Sequence, residues 1–370
     1  MKFLFLTIKT FSAIGAIEKV CRVAGRALYE NALTARGEFS MYSMDDPENI
    51  NPQPYLPANV FRGFGHARLK FMAESIKEAK KSSVVVLSHF NLLPAGYLIK
   101  LIAPKTKLIL IAHGIDIWKP ISAAKKIMMQ KVDLVVAASN FTKTKMAALH
   151  EIPGENFSVL YNCLDPFLPQ PPGWSRRKEF RKSYGFDDDD VVLMAFSRIT
   201  AAKNDTGYDK ILIAIKKLQS VCPKLRFLCV GKYEEEEKTR LDLLIHALGI
   251  EYDVTFTGFI PESVIGDYFN MADVYIIPGE KEVFGFPFLE ALYYNKPVIA
   301  GKINEDTTQG YEEKMGHFID IDNQEEMIAA IRNTYNGVNT FRPDRRLLVD
   351  KFSFPAYKNN WKALFDKLVQ

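Results

Sequence analysis

The sequence predicts an α/β protein with two Rossmann-like domains whose mostly parallel sheets face each other across a cleft. Two observations carry that expectation. Short apolar runs alternate with segments of helical periodicity in both halves of the 370 residues. Between the halves lies a Pro-rich tract, 166–173, after which the alternation starts again.

In order, residues 2–8 read as a first buried strand, 11–15 as its loop, and 16–31 as a helix. Ile17, Val20, Cys21, Ala24 and Leu28 share one face of that helix. Segment 37–65, rich in Pro, Asn and Asp, reads as an irregular excursion containing short strands. A helix over 71–81 leads to the apolar strand 83–87, with His89 at its carboxyl end. Strand 108–112 repeats the pattern and runs into His113-Gly114-Ile115-Asp116-Ile117-Trp118. Open α/β sheets bind ligands at the carboxyl ends of their strands. His89 and His113 are therefore site candidates, although a histidine there can equally be a satisfied end-of-strand residue. Strand 132–138 then meets Ser139, placed as the N-cap of the next helix.

In the second half, strand 191–197 ends in Arg198. A guanidinium at a strand's carboxyl end can neutralise a diphosphate without a metal. The four aspartates 187–190 precede that strand instead of ending it, so they read as a solvated turn and not as a metal site. Glu234–Glu237 reads as a solvated helix start. Strand 226–231 carries Gly231 and Lys232 at its carboxyl end, strand 254–260 ends in Ile260, and a helix follows to about 273. Then comes PGEKEVFGFPFLEALYYNKPVIAG, 278–301, a loop and helix between two apolar strands. Pro287 suits a first helical turn. Glu282 and Glu290 flank a glycine turn, and such a turn at a helix N-terminus is a seat for a phosphate. Residues 352–369 read as a terminal helix.

The bulk properties are those of a globular protein, with 48% hydrophobic and 25% charged residues. No window approaches the ~18–20 apolar residues of a membrane span. The apolar N-terminal run is broken by Lys9 and is too short for a signal peptide. Cys21, Cys163, Cys222 and Cys229 have neither metal-ligand nor disulfide-framework spacing, so a reduced cytoplasmic protein is expected. Residues 1–170 carry 21 Lys+Arg against 13 Asp+Glu, and the remainder 27 against 31. The basic first half could face an anionic membrane, giving peripheral contact at the inner face, or an anionic acceptor. Ordinary solvated lysines explain the count equally well.

The string from Glu282 to Glu290 resembles the E-x7-E segment of retaining glycosyltransferases of family 4, with Val283 and Phe286-Pro287 as departures. Gly15 with Glu18-Lys19-Val20 is similar to that family's opening loop and helix. His113-Gly114 resembles its H-G segment, and Asn162-Cys163-Leu164-Asp165 its crossover between domains. The resemblance implies the GT-B fold, with an acceptor-side domain over 1–165, a donor domain over 166–352, and a helix, 353–370, crossing back to the first. It implies a retaining, metal-independent transfer from a GDP- or UDP-sugar to a glycan or lipid-linked glycan acceptor in cell-surface polysaccharide assembly. No metal or other cofactor and no nucleic-acid partner is expected.

The same resemblance gives the site residues their roles. Glu282 would hold donor-sugar hydroxyls and Glu290 the ribose, while His113 orients the sugar. Arg198 and Lys203 would hold the phosphates, with backbone N–H groups near Gly15, Phe284, Gly285 and Phe286. Gly231 and Ile260 would line the nucleotide. For the second cation two alignments stay open: Lys203 in the short form of the motif, or Thr206 where the lysine belongs, with Lys210 nearby. A nucleotide-sugar 2-epimerase of the same fold and a non-catalytic sugar-nucleotide binding protein are the rival readings.

Overall fold

The computed structural model describes residues 1–113, 121–150, 153, 156–200, 207–277, 286–302, 314–337, 343–344 and 346–369. The chain divides into two compact units, Met1–Phe167 with Lys351–Gln370, and Leu168–Asp350.

The first unit begins with β1 (Lys2–Thr7), α1 (Ala16–Thr34), β2 (Glu38–Ser43), β3 (Phe61–Gly63) and α2 (Arg68–Ala79). It continues through β4 (Val84–Leu87), α3 (Leu93–Ile102), β5 (Lys107–Ala112), α4 (Ala123–Met129), β6 (Leu134–Ala137), α5 (Asn140–His150) and β7 (Phe157–Val159). Among the described residues these strands form one sheet in the order β3-β2-β1-β4-β5-β6-β7, every pair parallel. A parallel sheet is covered by helices on both faces, which is why VVVL of β4 and LVVA of β6 are buried at every position. Segment 37–65 proves more regular than expected. Its EFSMYS run pairs with β1 over six residues, Lys2↔Glu38 to Thr7↔Ser43, and alternates in burial.

The second unit holds α6 (Trp174–Ser183), β8 (Val191–Phe196), α7 (Tyr208–Leu218), β9 (Leu225–Val230), α8 (Glu235–Leu248), β10 (Val254–Gly258) and α9 (Ile265–Met271). After these come β11 (Val274–Ile276), α10 (Phe286–Tyr293), β12 (Val298–Gly301), β13 (Gly316–Ile319), α11 (Gln324–Gly337) and α12 (Arg346–Asp350). Its six described strands run β10-β9-β8-β11-β12-β13, again all parallel. Ile211, Leu212, Ile215 and Leu218 of α7 pack into a core with Phe227, Leu241 and Ile331.

Two charged runs are only partly solvated. Asp187, Asp188 and Asp189 are exposed, but Asp190 is buried and accepts the Asp187 N–H at 2.8 Å. The carbonyls of Asp187, Asp188 and Asp190 are gathered by the buried Arg181 guanidinium, which also reaches the Asp273 carboxylate. That turn is a structural knot at the amino edge of the sheet. In the run 234–237, Glu237 folds inward and pairs with Arg240, which also forks onto Asp209. Composition marks both runs as charged but does not say which carboxylate meets a buried partner.

The last helix, α13 (Phe354–Val369), lies in the first unit against α1. Lys358 binds Glu30 at 3.0 Å, Asn31 donates to the Lys358 carbonyl at 2.9 Å, and Phe365 meets Phe3 at 4.7 Å between ring centroids. All four cysteines are free thiols and buried.

Candidate functional site

In each unit the candidates sit where parallel strands end. In the first, the loop after β1 is organised by the fully buried Asp46. Its carboxylate accepts main-chain N–H groups from Thr10 at 2.8 Å, Phe11 at 3.2 Å and Ser12 at 2.8 Å, and the hydroxyls of Ser12 and Ser43. Three successive amides around one anion form the kind of nest that binds phosphates, and here the chain supplies the anion itself. Arg22 braces the loop through the Thr10 and Ala13 carbonyls. Gly15 is the N-cap of α1 in extended backbone, and a Cβ there would meet the Glu18 carboxylate. Asp165 of the crossover segment is buried, accepting from the Tyr55 hydroxyl and from the Phe167 N–H at 2.9 Å. These bonds fix the end of the first unit.

His113 follows β5, and its Nε2 lies 2.5 Å from the Ser88 carbonyl at the end of neighbouring β4. A carbonyl only accepts, so Nε2 carries the proton, which fixes the tautomer and the ring. His89 Nδ1 accepts the Asn91 N–H at 3.0 Å and caps the turn 90–92. Ser139 caps α5 as its sequence position implies, accepting the Thr142 N–H at 3.1 Å. Burial pushes the Cys21 thiol, beside Ser88, up to about 12.

In the second unit the strand ends present a graded edge. Gly231 follows β9 at φ +127°, and a Cβ there would collide with the Ser197 carbonyl. Beyond β8 and β9 the two chains stay paired: Ser197 N–H bonds Val230, Ile199 N–H bonds Lys232, and Ile199 bridges Tyr233. The register that matches Phe196 with Val230 therefore matches Arg198 with Lys232. Arg198 and Lys232 thus hold matching positions just past the strand ends, between the last ladder pair, Phe196 and Val230, and the isolated bridge of Ile199 with Tyr233. Both side chains are exposed, and among the described residues neither has a carboxylate partner. Two exposed cations at matching positions on one strand edge suit an anionic ligand. Tyr208 steadies the spot through its hydroxyl, 3.0 Å from Ser197 Oγ.

Ile260 is buried just past β10, on the far side of β9. Across β8, β11 leads towards α10, where Phe286 and Glu290 are buried, Glu290 at 1% exposure. The edge thus brings together Ile260, Gly231 and Arg198 on adjoining strands. Lys203, Glu282, Phe284 and Gly285 lie outside the described residues. Lys210 is ion-paired with Asp322. Lys232, exposed just past β9, is a further cation at this edge. The sequence places Lys232 at the end of its strand but no motif gives it a role; that it matches Arg198 in register emerges only once β8 and β9 are paired. Among the described residues no cluster of three or more His, Cys, Asp or Glu is placed to hold a metal ion.

Both units resemble parts of known proteins. Residues 176–339 match the family model described as Glycosyl transferases group 1, and residues 31–166 match that described as Glycosyltransferase Family 4. An uncharacterized glycosyltransferase of Methanocaldococcus jannaschii is 26% identical over 190 residues, 51% of this chain and 47% of that protein. A GDP-mannose-dependent phosphatidylinositol monomannoside mannosyltransferase of Mycobacterium tuberculosis is 26% identical over 220 residues, 54% of each chain. The chain spans about half the length of these curated relatives. The crystal structure of Anabaena HepE in complex with UDP superposes with TM-score 0.80 at 18% identity, covering 99% of this chain and 100% of that one. Likeness at that identity shows the fold, which is GT-B.

Proposed function

We propose that this chain, whose two units are glycosyltransferase domains of the family 4 and group 1 kinds, is a retaining, metal-independent glycosyltransferase. It moves a sugar from a GDP- or UDP-sugar to a glycan or lipid-linked glycan acceptor in cell-surface polysaccharide assembly. A lipid-linked acceptor would bring a cytoplasmic chain to the inner membrane face. The observation that carries the reading is the Arg198–Lys232 pair, two exposed cations in register at the carboxyl edge of the second sheet. The UDP and GDP-mannose in the names of HepE and the mycobacterial enzyme favour those two donor classes.

In the proposed reaction the acceptor oxygen attacks the anomeric carbon on the face from which the nucleoside diphosphate leaves. The C–O bond to phosphate breaks as the glycosidic bond forms, and a departing phosphate oxygen takes the acceptor's proton. Arg198, Lys232 and Lys203 would offset the charge growing on that phosphate, which is where electrostatic stabilisation acts most strongly. Positively charged side chains can do this without a metal. Glu282 would hold sugar hydroxyls, Glu290 the ribose, and His113, its tautomer fixed by Ser88, would orient the sugar.

The test is turnover in EDTA against UDP-, GDP- and ADP-sugars with glycan acceptors, reading free nucleoside diphosphate and the product anomer by NMR. The reading expects one donor to turn over with retention, and Glu282→Gln to lose at least ~100-fold in rate. An inverted product, a requirement for divalent metal, or full turnover by Glu282→Gln would each contradict it. Interconversion of donor epimers without acceptor would make the chain an epimerase.

A further inference from the structure

Helix α3 is apolar on two sides. Leu93, Ala95, Gly96 and Ile99 are buried, and Gly96 lets the helix lie close on Leu87 and Leu108. The opposite stripe, Pro94, Leu98, Leu101 and Ile102, faces outward, and neighbouring α4 adds Ile127. The four large aliphatic side chains are between 38% and 58% exposed. The one charged residue of α3, Lys100, turns aside to the Asp133 carboxylate at 2.7 Å, so the outward stripe carries no charge. An amphipathic helix in water would show its polar face there.

The end of this stripe is ringed by lysines. Because α3 runs against the strands it covers, Leu101 and Ile102 lie at the amino edge of the sheet, beside the turns that enter β4, β5 and β6. Those turns are tied together by Thr106, whose hydroxyl bonds the Ala79 and Ser82 carbonyls, and by Asp133, which accepts the Leu108 N–H at 2.7 Å. They present Lys80, Lys81, Lys105 and Lys131, all exposed. The carboxylates nearby are engaged, Asp133 by Lys100 and Glu78 by Lys2.

We infer that the outer face of α3 with this lysine ring is a docking surface for an anionic lipid bilayer. Aliphatic side chains entering the headgroup boundary while lysines meet anionic headgroups is the chemistry of an interfacial anchor. A second copy of the chain fits less well, because a two-fold contact would set the lysine rings against each other. This surface would serve the membrane contact proposed above but uses nothing from the donor site, so the two can fail separately.

The test is co-sedimentation of the full chain with vesicles of phosphatidylcholine, alone or mixed with phosphatidylglycerol. The expected result is at least ~10-fold more binding to the mixed vesicles, weakening as salt is raised. Two variants, Leu101→Ser/Ile102→Ser/Ile127→Ser and Lys80→Glu/Lys81→Glu/Lys105→Glu/Lys131→Glu, should each lose at least ~10-fold. Their thermal unfolding and nucleotide-induced stabilisation should match the wild type, since the changed side chains are exposed and belong to the first unit. No binding to mixed vesicles, or undiminished binding by both variants, would overturn the inference. A dimer dissolved by the serine variant, without vesicle binding, would assign the face to self-association instead.

Discussion

Gly231 stands against the Ser197 carbonyl at the joint end of β8 and β9, with a backbone that side chains rarely adopt. Gly231→Ala must either push that carbonyl away or twist the strand end, and such strain costs about 2 kcal/mol or more. Thermal unfolding of the variant should fall by roughly 4–8 °C, and nucleotide affinity should fall with it. An unchanged melting temperature would mean that the joint is less constrained than its geometry implies.

Arg198 and Lys232 should act on phosphate and not on base. Each alanine variant is expected to weaken UDP or GDP binding about tenfold or more, the scale of a charge-assisted contact. Binding of the uncharged nucleoside should stay as it was. Titration calorimetry with both ligands separates the cases, and equal losses for nucleoside and diphosphate would argue against phosphate contact. Because both side chains are exposed, the fold should be unaffected.

In the first unit, Asp46→Asn replaces a carboxylate that accepts three amides and two hydroxyls with a group that has one accepting oxygen. The NH₂ of asparagine then points at donors. A loss of about 2–3 kcal/mol in urea unfolding is expected. A change below ~0.5 kcal/mol, the range of ordinary surface substitutions, would show that the loop after β1 does not depend on this anion.

His317 on β13 gives a pH dependence with a definite sign. Burial lowers its pKa from the ordinary 6.5, so the folded state favours the neutral ring. The unfolded chain then binds a proton first as pH falls. The neutral ring's contribution is full above about pH 6.5 and is lost as pH falls from there towards the folded value. His317→Gln should flatten the stability profile between neutrality and about pH 5. A wild-type profile already flat across that range would contradict the assignment.

Much of the architecture was legible because buried parallel strands write themselves as apolar runs: VVVL, KLILIA and VVLMAF needed no partner to be recognised. EFSMYS was harder to read, since its one-sided burial gives an alternating pattern inside a Pro- and Asp-rich segment. At the site, Arg198 and Gly231 could be placed from the ends of strands. That Lys232 matches Arg198 in register required knowing which strand lies beside which, and the Lys210–Asp322 contact spans 112 positions. Asp46 was invisible for the same reason, as its partners lie 34 to 36 residues away in the loop after β1.

The central claim is a metal-free nucleotide site at the carboxyl edge of the second sheet. Titration of UDP and GDP into wild-type protein and Arg198→Ala, both in EDTA, tests it most directly. The account predicts that one nucleotide binds the wild type without metal and that Arg198→Ala binds it at least ~10-fold more weakly. Binding by neither nucleotide, binding that appears only with a divalent cation, or equal affinity in Arg198→Ala would contradict it.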